Sequence, residues 1–252
     1  MRSFAPKAAR EAEQQDAGSG ELSEHRGLMS FQVAVDGPAG SGKSSVSKLI
    51  AKKYGFTYLD TGAMYRACAY IRMKFPSDDD SFIKILENTD MRFEPAPEGQ
   101  RMFININGSD TEITDIIRTP EVTALVGAVS AMHDVRRLMT AKQKELARKG
   151  EVIMEGRDIG TVVLPEADVK FFFTASPTER ARRRQAEWKT KGVEVPLEQL
   201  ENDILRRDEM DSSRTEAPLK KAEDAVELDT TGLTIDEVIS IMSAEINRKR
   251  RT

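Results

Sequence analysis

One cysteine, two histidines, one tryptophan and no long apolar run set the first limits on what this chain can be. A lone Cys68 cannot close an internal disulfide, so the chain suits a reducing compartment, and a cytoplasmic location is expected. Its neighbours Met64, Ala67 and Ile71 are apolar, which marks it as a small core residue rather than a nucleophile. His25 and His133 stand apart from any cysteine, which argues against a zinc site of the usual ligands. No stretch approaches the roughly 18 apolar residues of a membrane span, and the opening MRSFAPKAAREAEQQDAGSG has no apolar segment behind its basic residues, so it is no secretory signal. No membrane partner is expected. A net charge of -4 argues against binding nucleic acid through overall electrostatics. The one dense basic run, Arg248 to Arg251, reads as a solvated helix end that complements the dipole.

What is present has the organisation of one substantial core with an appendage or insertion, as 252 residues allow, and a monomer is expected. Residues 1–29 are polar and without period and read as a disordered extension. From Phe31 the pattern changes. Phe31, Val33 and Val35 form a short strand that runs into DGPAGSGKSS, after which Val46, Leu49 and Ile50 recur at helical spacing. A second strand, 56–59, precedes a helix over 61–74. Pro and Gly inside residues 90–110, with alternation at the end, suggest a small antiparallel hairpin set into the pattern. Thr119-Pro120 reads as a capped helix start, and a further helix spans 135–148. Strands follow at 152–154, 169–173 and 226–228. Ser176-Pro177-Thr178-Glu179 and Thr234 to Glu237 are capping boxes that open two helices, with another helix over 196–210 between them. Strands alternating with helices imply an α/β fold, a parallel sheet covered on both faces.

Gly37-Pro38-Ala39-Gly40-Ser41-Gly42-Lys43-Ser44 fits the phosphate-binding pattern G-x-x-x-x-G-K-[ST] in full, between a strand and a helix as that pattern requires. Glycines let successive N–H groups curl around a phosphate, and the helix N-terminus adds partial positive charge. Lys43 can reach the β- and γ-phosphates, and the Ser44 hydroxyl is placed to hold Mg²⁺. No N-K-x-D base-reading motif of a GTPase follows. The nearest acidic strand end, Val152 to Glu155, runs into Gly156-Arg157-Asp158 instead of ending as a motor ATPase would.

Phosphoryl transfer between two anionic nucleotides needs guanidinium groups to offset their repulsion. Arg66, Arg157, Arg207 and Arg214 fall at or beside strand and helix ends, where ligands of open α/β sheets bind, as do Asp60 and Asp158. Arg180, Arg182, Arg183 and Arg184 form a cluster in which 180 and 184 share a helix face with 183 close to both, so that face is strongly basic. It is suited either to a lid over ATP or to a solvated face paired with Glu179 and Glu187.

At these residues the sequence resembles the bacterial cytidylate kinases, a branch of the nucleoside monophosphate (NMP) kinases. VAVDGPAGSGKSS, YLDTGAMYRA, IRTPEV, VRRLM, EGRDIGTVVLPEADVKFF, RRDEMDSSR and APLKKAEDAVELDTTGLTIDEVI carry the resemblance in order, from Val33 to about Asn247. It implies a three-layer P-loop NTPase sandwich over 30–252, an NMP-binding region near 60–148 with an insertion at about 85–118, and a mobile lid near 180–195. The ATP site would be Gly37, Pro38, Ala39, Gly40, Ser41, Gly42, Lys43, Ser44 and Ser45, with Arg180 and Arg184. The resemblance puts Asp60, Thr61 and Arg66 near the acceptor, with Arg66, Arg157 and Arg214 on its phosphate. It puts Arg136 and Asp158 on the cytosine, and Arg207 and Asp211 on the sugar. Lys43 and Arg157 would be catalytic. Thr61 stands where serine is common, keeping the hydroxyl. Gly127 stands where a base-contacting serine is expected, so that contact is absent or passes to Ser130, one turn on.

The expected activity is Mg²⁺-dependent transfer of the ATP γ-phosphoryl to CMP or dCMP. A kinase for UMP or AMP, and a regulatory protein that uses ATP as a switch, are the competing readings.

Overall fold

The strand-and-helix alternation produces a five-stranded, fully parallel sheet. The computed structural model describes residues 30–96, 99–190 and 192–251, so the reading of residues 1–29 lies outside the described residues. The sheet has the order β2-β6-β1-β7-β8, built from β1 (Gln32–Asp36), β2 (Thr57–Asp60), β6 (Val152–Gly156), β7 (Val169–Thr174) and β8 (Val226–Asp229). Register aligns the carboxyl ends: Asp36 opposes Gly156, and Glu155 opposes both Val35 and Asp60. Every loop leaving that edge therefore opens onto one surface.

Both faces are covered, which explains why the strands read as continuous apolar runs. Val33, Val35, Ile153, Phe171 and Phe173 pack with Val46 and Ile50 of α1 (Lys43–Tyr54) and with Val238, Met242 and Ile246 of α8 (Ile235–Arg250). Ala34, Val152 and Met154 point the opposite way, towards Leu164 and towards Ala147 of α5 (His133–Ala147). A further core joins α2 (Thr61–Lys74), α3 (Asp79–Glu87), α4 (Pro120–Ala131) and α5 through Ala67, Ile71, Phe82, Leu86, Val122 and Met139. Cys68 is fully buried there, and burial pushes its thiol up to about 12, so it is inert.

The small hairpin is in fact a three-stranded antiparallel sheet: β3 (Thr89–Ala96), β4 (Gly99–Ile106) and β5 (Ser109–Glu112). Asn107 and Gly108, both at positive φ, make the two-residue turn into the third strand. Helix α3, not foreseen from the sequence, is capped by Asp78, whose carboxylate accepts from Ser81 N–H at 2.8 Å. Thr119 precedes Pro120 as expected but makes no side-chain cap bond.

The capping box at Thr234 is complete. At Ser176 only half of it forms: Glu179 N–H donates to Ser176 Oγ at 3.2 Å, whereas Ser176 N–H donates to Thr231 and the Glu179 carboxylate accepts from Arg183. Helices α6 (Pro177–Thr190) and α7 (Leu197–Ser212) share a minor core of Ala181, Leu200 and Ile204, flanked by Trp188. The C-terminal basic run is not simply solvated. Arg250 lies over Phe31, Tyr54 and Phe56 at 5.0, 5.6 and 4.9 Å and pairs with Glu151 at 2.6 Å. Among the described residues no helix is long and apolar enough to cross a membrane.

Candidate functional site

Strand β1 ends at Asp36 and the chain turns at Gly37, whose φ of +143° brings it against β7: a Cβ there would lie 2.2 Å from the Phe173 carbonyl oxygen. Gly42, also left-handed, sets the start of α1. The loop thus closes tightly enough to bury Lys43, whose Nζ donates to the carbonyls of Gly37 and Pro38, each at 2.7 Å, and to Ser41 Oγ at 3.3 Å. Burial, followed by the nearby Arg157 charge, pushes the Lys43 ammonium down to about 7, with Glu155 and Asp36 opposing. Asp36 anchors a π-helical turn, Ile159–Val163, by accepting from Ile159 N–H at 2.8 Å and Gly160 N–H at 2.7 Å. Burial lifts its carboxyl to about 6 despite those two bonds.

Ser44 Oγ donates to Glu155 Oε1 at 2.6 Å, and Tyr58 of β2 donates to the same oxygen at 2.6 Å. Glu155 Oε2 is buried without a hydrogen-bond partner. Burial, reinforced by the Asp60 charge, raises the Glu155 carboxyl above its usual range. Sequence reasoning passed over Glu155 because the strand runs on into Gly156-Arg157; its signal was the acidic residue ending an apolar strand, and the register puts that residue beside the phosphate loop. A carboxylate against the loop's hydroxyl, with one bare buried oxygen, is a donor set that fits a divalent cation with oxygen ligands. Among the described residues, no group of three His, Cys, Asp or Glu side chains forms a cage that would hold a metal by itself.

The residues expected on the acceptor side gather beyond β2 and β6. Asp60 caps α2 through Ala63 N–H at 3.0 Å and lies 3.4 Å from Arg118. The Thr61 hydroxyl donates to the Glu155 carbonyl at 2.7 Å, an approach that only Gly156 permits, since a Cβ there would sit 2.6 Å from Thr61 Oγ1. Arg66 Nε is buried without a hydrogen bond. Burial lowers its guanidinium, Asp60 offsets this, and Arg118, Arg157 and Arg184 add to it. Arg207 is pushed down to about 10 by burial and then by Arg157. Asp211 accepts from Arg157 Nε at 2.8 Å and Arg214 Nη2 at 2.5 Å. Burial works against its charge, yet these two arginines hold its carboxyl below the usual range.

Arg136 and Asp158 form a buried ion pair at 2.6 Å, side chains 4% and 7% exposed. Burial raises the Asp158 carboxyl, with Arg136 opposing. Ser130 sits between these groups. Its hydroxyl donates to the Gly127 carbonyl at 3.2 Å and accepts from Arg214 at 3.4 Å, and its carbonyl accepts from Arg136 at 3.3 Å. A Cβ at Gly127 would meet Met210 Cε at 3.6 Å.

The α6 arginines divide. Arg180 is buried, with its guanidinium bidentate on Asp208 and donating to the carbonyls of Ala175 and Ala39. It braces the phosphate loop from behind, so its fork is not free for ATP. Arg183 is held by Glu179 and by Thr230, whose hydroxyl in turn donates to the Ser41 carbonyl. Arg184 stacks over Trp188 at 5.5 Å, and its charge reaches Arg66 and Arg207. A cleft of about 550 Å³ between the edges of β2 and β3, lined by Leu59, Arg92, Phe103 and Lys149 among others, holds none of the expected site residues. The strand register, rather than cavity size, locates the chemistry.

A parallel α/β sheet with a complete phosphate loop and a guanidinium cluster at its carboxyl edge defines a P-loop phosphotransferase. The model of the cytidylate kinase family matches residues 33–248, and the chain belongs to that family. It is 49% identical over 222 residues to a cytidylate kinase of Carboxydothermus hydrogenoformans, covering 87% of this chain and 98% of that one. It is 50% identical over 213 residues to a cytidylate kinase of Ligilactobacillus salivarius, covering 83% and 93%. An uncharacterized protein from Eubacterium ventriosum shares the fold, with a TM-score of 0.51 and 12% identity over 86% of this chain and 98% of that one.

Proposed function

We propose that the chain transfers the γ-phosphoryl group of ATP to CMP or dCMP. The bond from γ-phosphorus to the β-bridging oxygen breaks, one from γ-phosphorus to an oxygen of the acceptor phosphate forms, and ADP and CDP or dCDP leave. The observation that carries the reading is Arg66 and Arg207, guanidinium groups pushed down by burial beside a complete phosphate loop, Arg66 with a buried Nε that bonds nothing.

The donor triphosphate takes the backbone N–H groups of the loop from Ala39 to Ser45, and Lys43 leaves its carbonyl partners for the β- and γ-oxygens. Arg180 sets the position of this loop, and Arg184 faces the transferring group. Ser44 and Glu155 are the residues that would hold Mg²⁺, which when bound supplies neutralising charge on the β- and γ-phosphates. Arg66, Arg157 and Arg214 grip the acceptor phosphate, with Asp60 and Thr61 at its margin. Arg207 and Asp211 take the sugar. Asp158 accepts from the cytosine amino group, a donor uracil lacks, while Arg136 keeps the carboxylate ionised and Ser130 supplies the hydroxyl that Gly127 cannot. No general base is needed, because the acceptor is already an anion and the catalysis is positioning and charge neutralisation.

A panel of CMP, dCMP, UMP and AMP under one ADP-release assay tests this. CMP or dCMP should give the highest kcat/KM. Faster turnover with AMP or UMP, or ADP release indifferent to any acceptor, overturns it.

A further inference from the structure

We propose that Tyr58 is a positioning residue for the metal-side carboxylate of Glu155. The proposal rests on the assignment of Ser44 and Glu155 to Mg²⁺. Tyr58 is buried, and its hydroxyl donates to Glu155 Oε1 at 2.6 Å, the same distance at which Ser44 Oγ donates to that oxygen. Two donors on one oxygen fix the carboxylate plane and leave Oε2 as its only bare, buried acceptor. A carboxylate held on one side alone would rotate and lose that orientation, and outer-shell bonds of this kind orient ligands to metals.

The tyrosine is itself held from outside the donor site. Its carbonyl accepts from Gln100 Nε2 of β4 at 2.5 Å, and Lys48 of α1 lies 5.9 Å from its ring centre. Because Glu155 is buried among Asp60, Lys43 and Tyr58, the phenol is also the neutral donor that lowers the cost of keeping the carboxylate charged there. Burial and the neighbouring carboxylates keep the phenol protonated, so towards the Glu155 carboxylate it acts as a donor.

The test measures the affinity of ADP by calorimetry, with and without Mg²⁺, for the wild type, Tyr58→Phe and the control Tyr54→Phe, whose hydroxyl bonds Ser243 and Asn247 instead. The ratio of the two dissociation constants isolates the metal's contribution. Tyr58→Phe should lower that ratio about tenfold, as loss of an outer-shell partner does, with metal-free ADP affinity and the Tyr54→Phe ratio unchanged. A wild-type ratio in Tyr58→Phe overturns the proposal whatever happens to its melting temperature or kcat, because a purely structural role moves both affinities together. A ratio near one in the wild type removes the metal assignment and this proposal with it. Acceptor choice, read separately in the panel above, is untouched by either result.

Discussion

Replacing Arg66 with methionine removes a charge that the nucleotide-free protein holds at a cost. The side chain leaves α2 with Nε buried and unbonded, and burial together with Arg118, Arg157 and Arg184 pulls its guanidinium down. A fully buried, uncompensated ion costs several kcal/mol; Arg66 keeps some exposure and has Asp60 near it, so Arg66→Met should stabilise the free protein by about 1–2 kcal/mol. In a chain of this size that is a rise in Tm of about 2–8 °C. Under the proposed function the same change also removes a two-bond grip on the acceptor phosphate, and charge-assisted bonds are worth about 1.5–3 kcal/mol each. The kcat/KM for CMP should therefore fall about 10²- to 10⁴-fold. Thermal melts with and without CMP, beside the ADP-release assay, read both effects, and CMP should raise the Tm of the wild type but not of the variant. A lower Tm in ligand-free Arg66→Met, or a kcat/KM within threefold of wild type, refutes the view that this guanidinium is reserved for an anion.

Asp158→Asn should cost CMP about 10- to 150-fold in kcat/KM beyond any loss with UMP, the value of one charged hydrogen bond; equal losses for both would remove Asp158 from base reading. Lys43, held near 7 in the free protein, is mostly neutral at pH 8 and mostly charged at pH 6, so nucleotide binding should take up more protons at pH 8 than at pH 6. Calorimetry in buffers of different ionisation enthalpy measures this uptake, and no difference between the two pH values contradicts it. The sign for stability follows: the unfolded lysine keeps a proton that the folded one sheds, so this group adds stability as pH rises from about 7 towards 10.5. Arg250→Ala strips a cation from three rings and from Glu151 and should destabilise by about 1–2 kcal/mol with kcat unchanged, as urea melts would show. An unaltered midpoint would restore the reading of that run as solvated.

The phosphate loop and the parallel sheet were legible because both are written locally, in glycine spacing and in apolar strands bounded by loop residues. The third strand of the inserted sheet was not, since Ser109–Glu112 is exposed and polar throughout, although Asn107-Gly108 carried the turn signal for it. Helix α3 is short, and its Asp78 cap stands in an acidic run that resembles a loop. Arg180 shows the limit of periodicity. Helical spacing groups it with Arg184, but its direction is decided by Asp208 on α7, a tertiary partner that no local pattern reveals. Glu155 was hidden for a similar reason, because only the pairing of β6 between β1 and β2 brings it to Ser44 and Tyr58. The proposed acceptor-side roles rest on family resemblance alone, since arginine spacing does not say which guanidinium faces phosphate and which faces sugar.

The charges of the site divide by partner, and the division accounts for how it can be both ordered and receptive. Arg136 is matched by Asp158, Arg157 and Arg214 share Asp211, and Arg180 takes Asp208, at 2.5–2.8 Å in each case. Such pairs add little net attraction for an anion, but they fix where the forks point. Arg66 and Arg207 lie in the same cluster, lowered chiefly by burial and only partly offset by Asp60 and Asp211, and in the proposed complex a nucleotide phosphate of about −2 relieves the positive charge of that cluster. If every arginine had its own carboxylate, the protein would be stabler and would bind nucleotides poorly. If none had, the cluster would repel itself open before substrate arrived. The shared Asp211, one carboxylate between two guanidinium groups, is the point where these demands meet: it orders Arg157 and Arg214 and still leaves the pair one positive charge in excess.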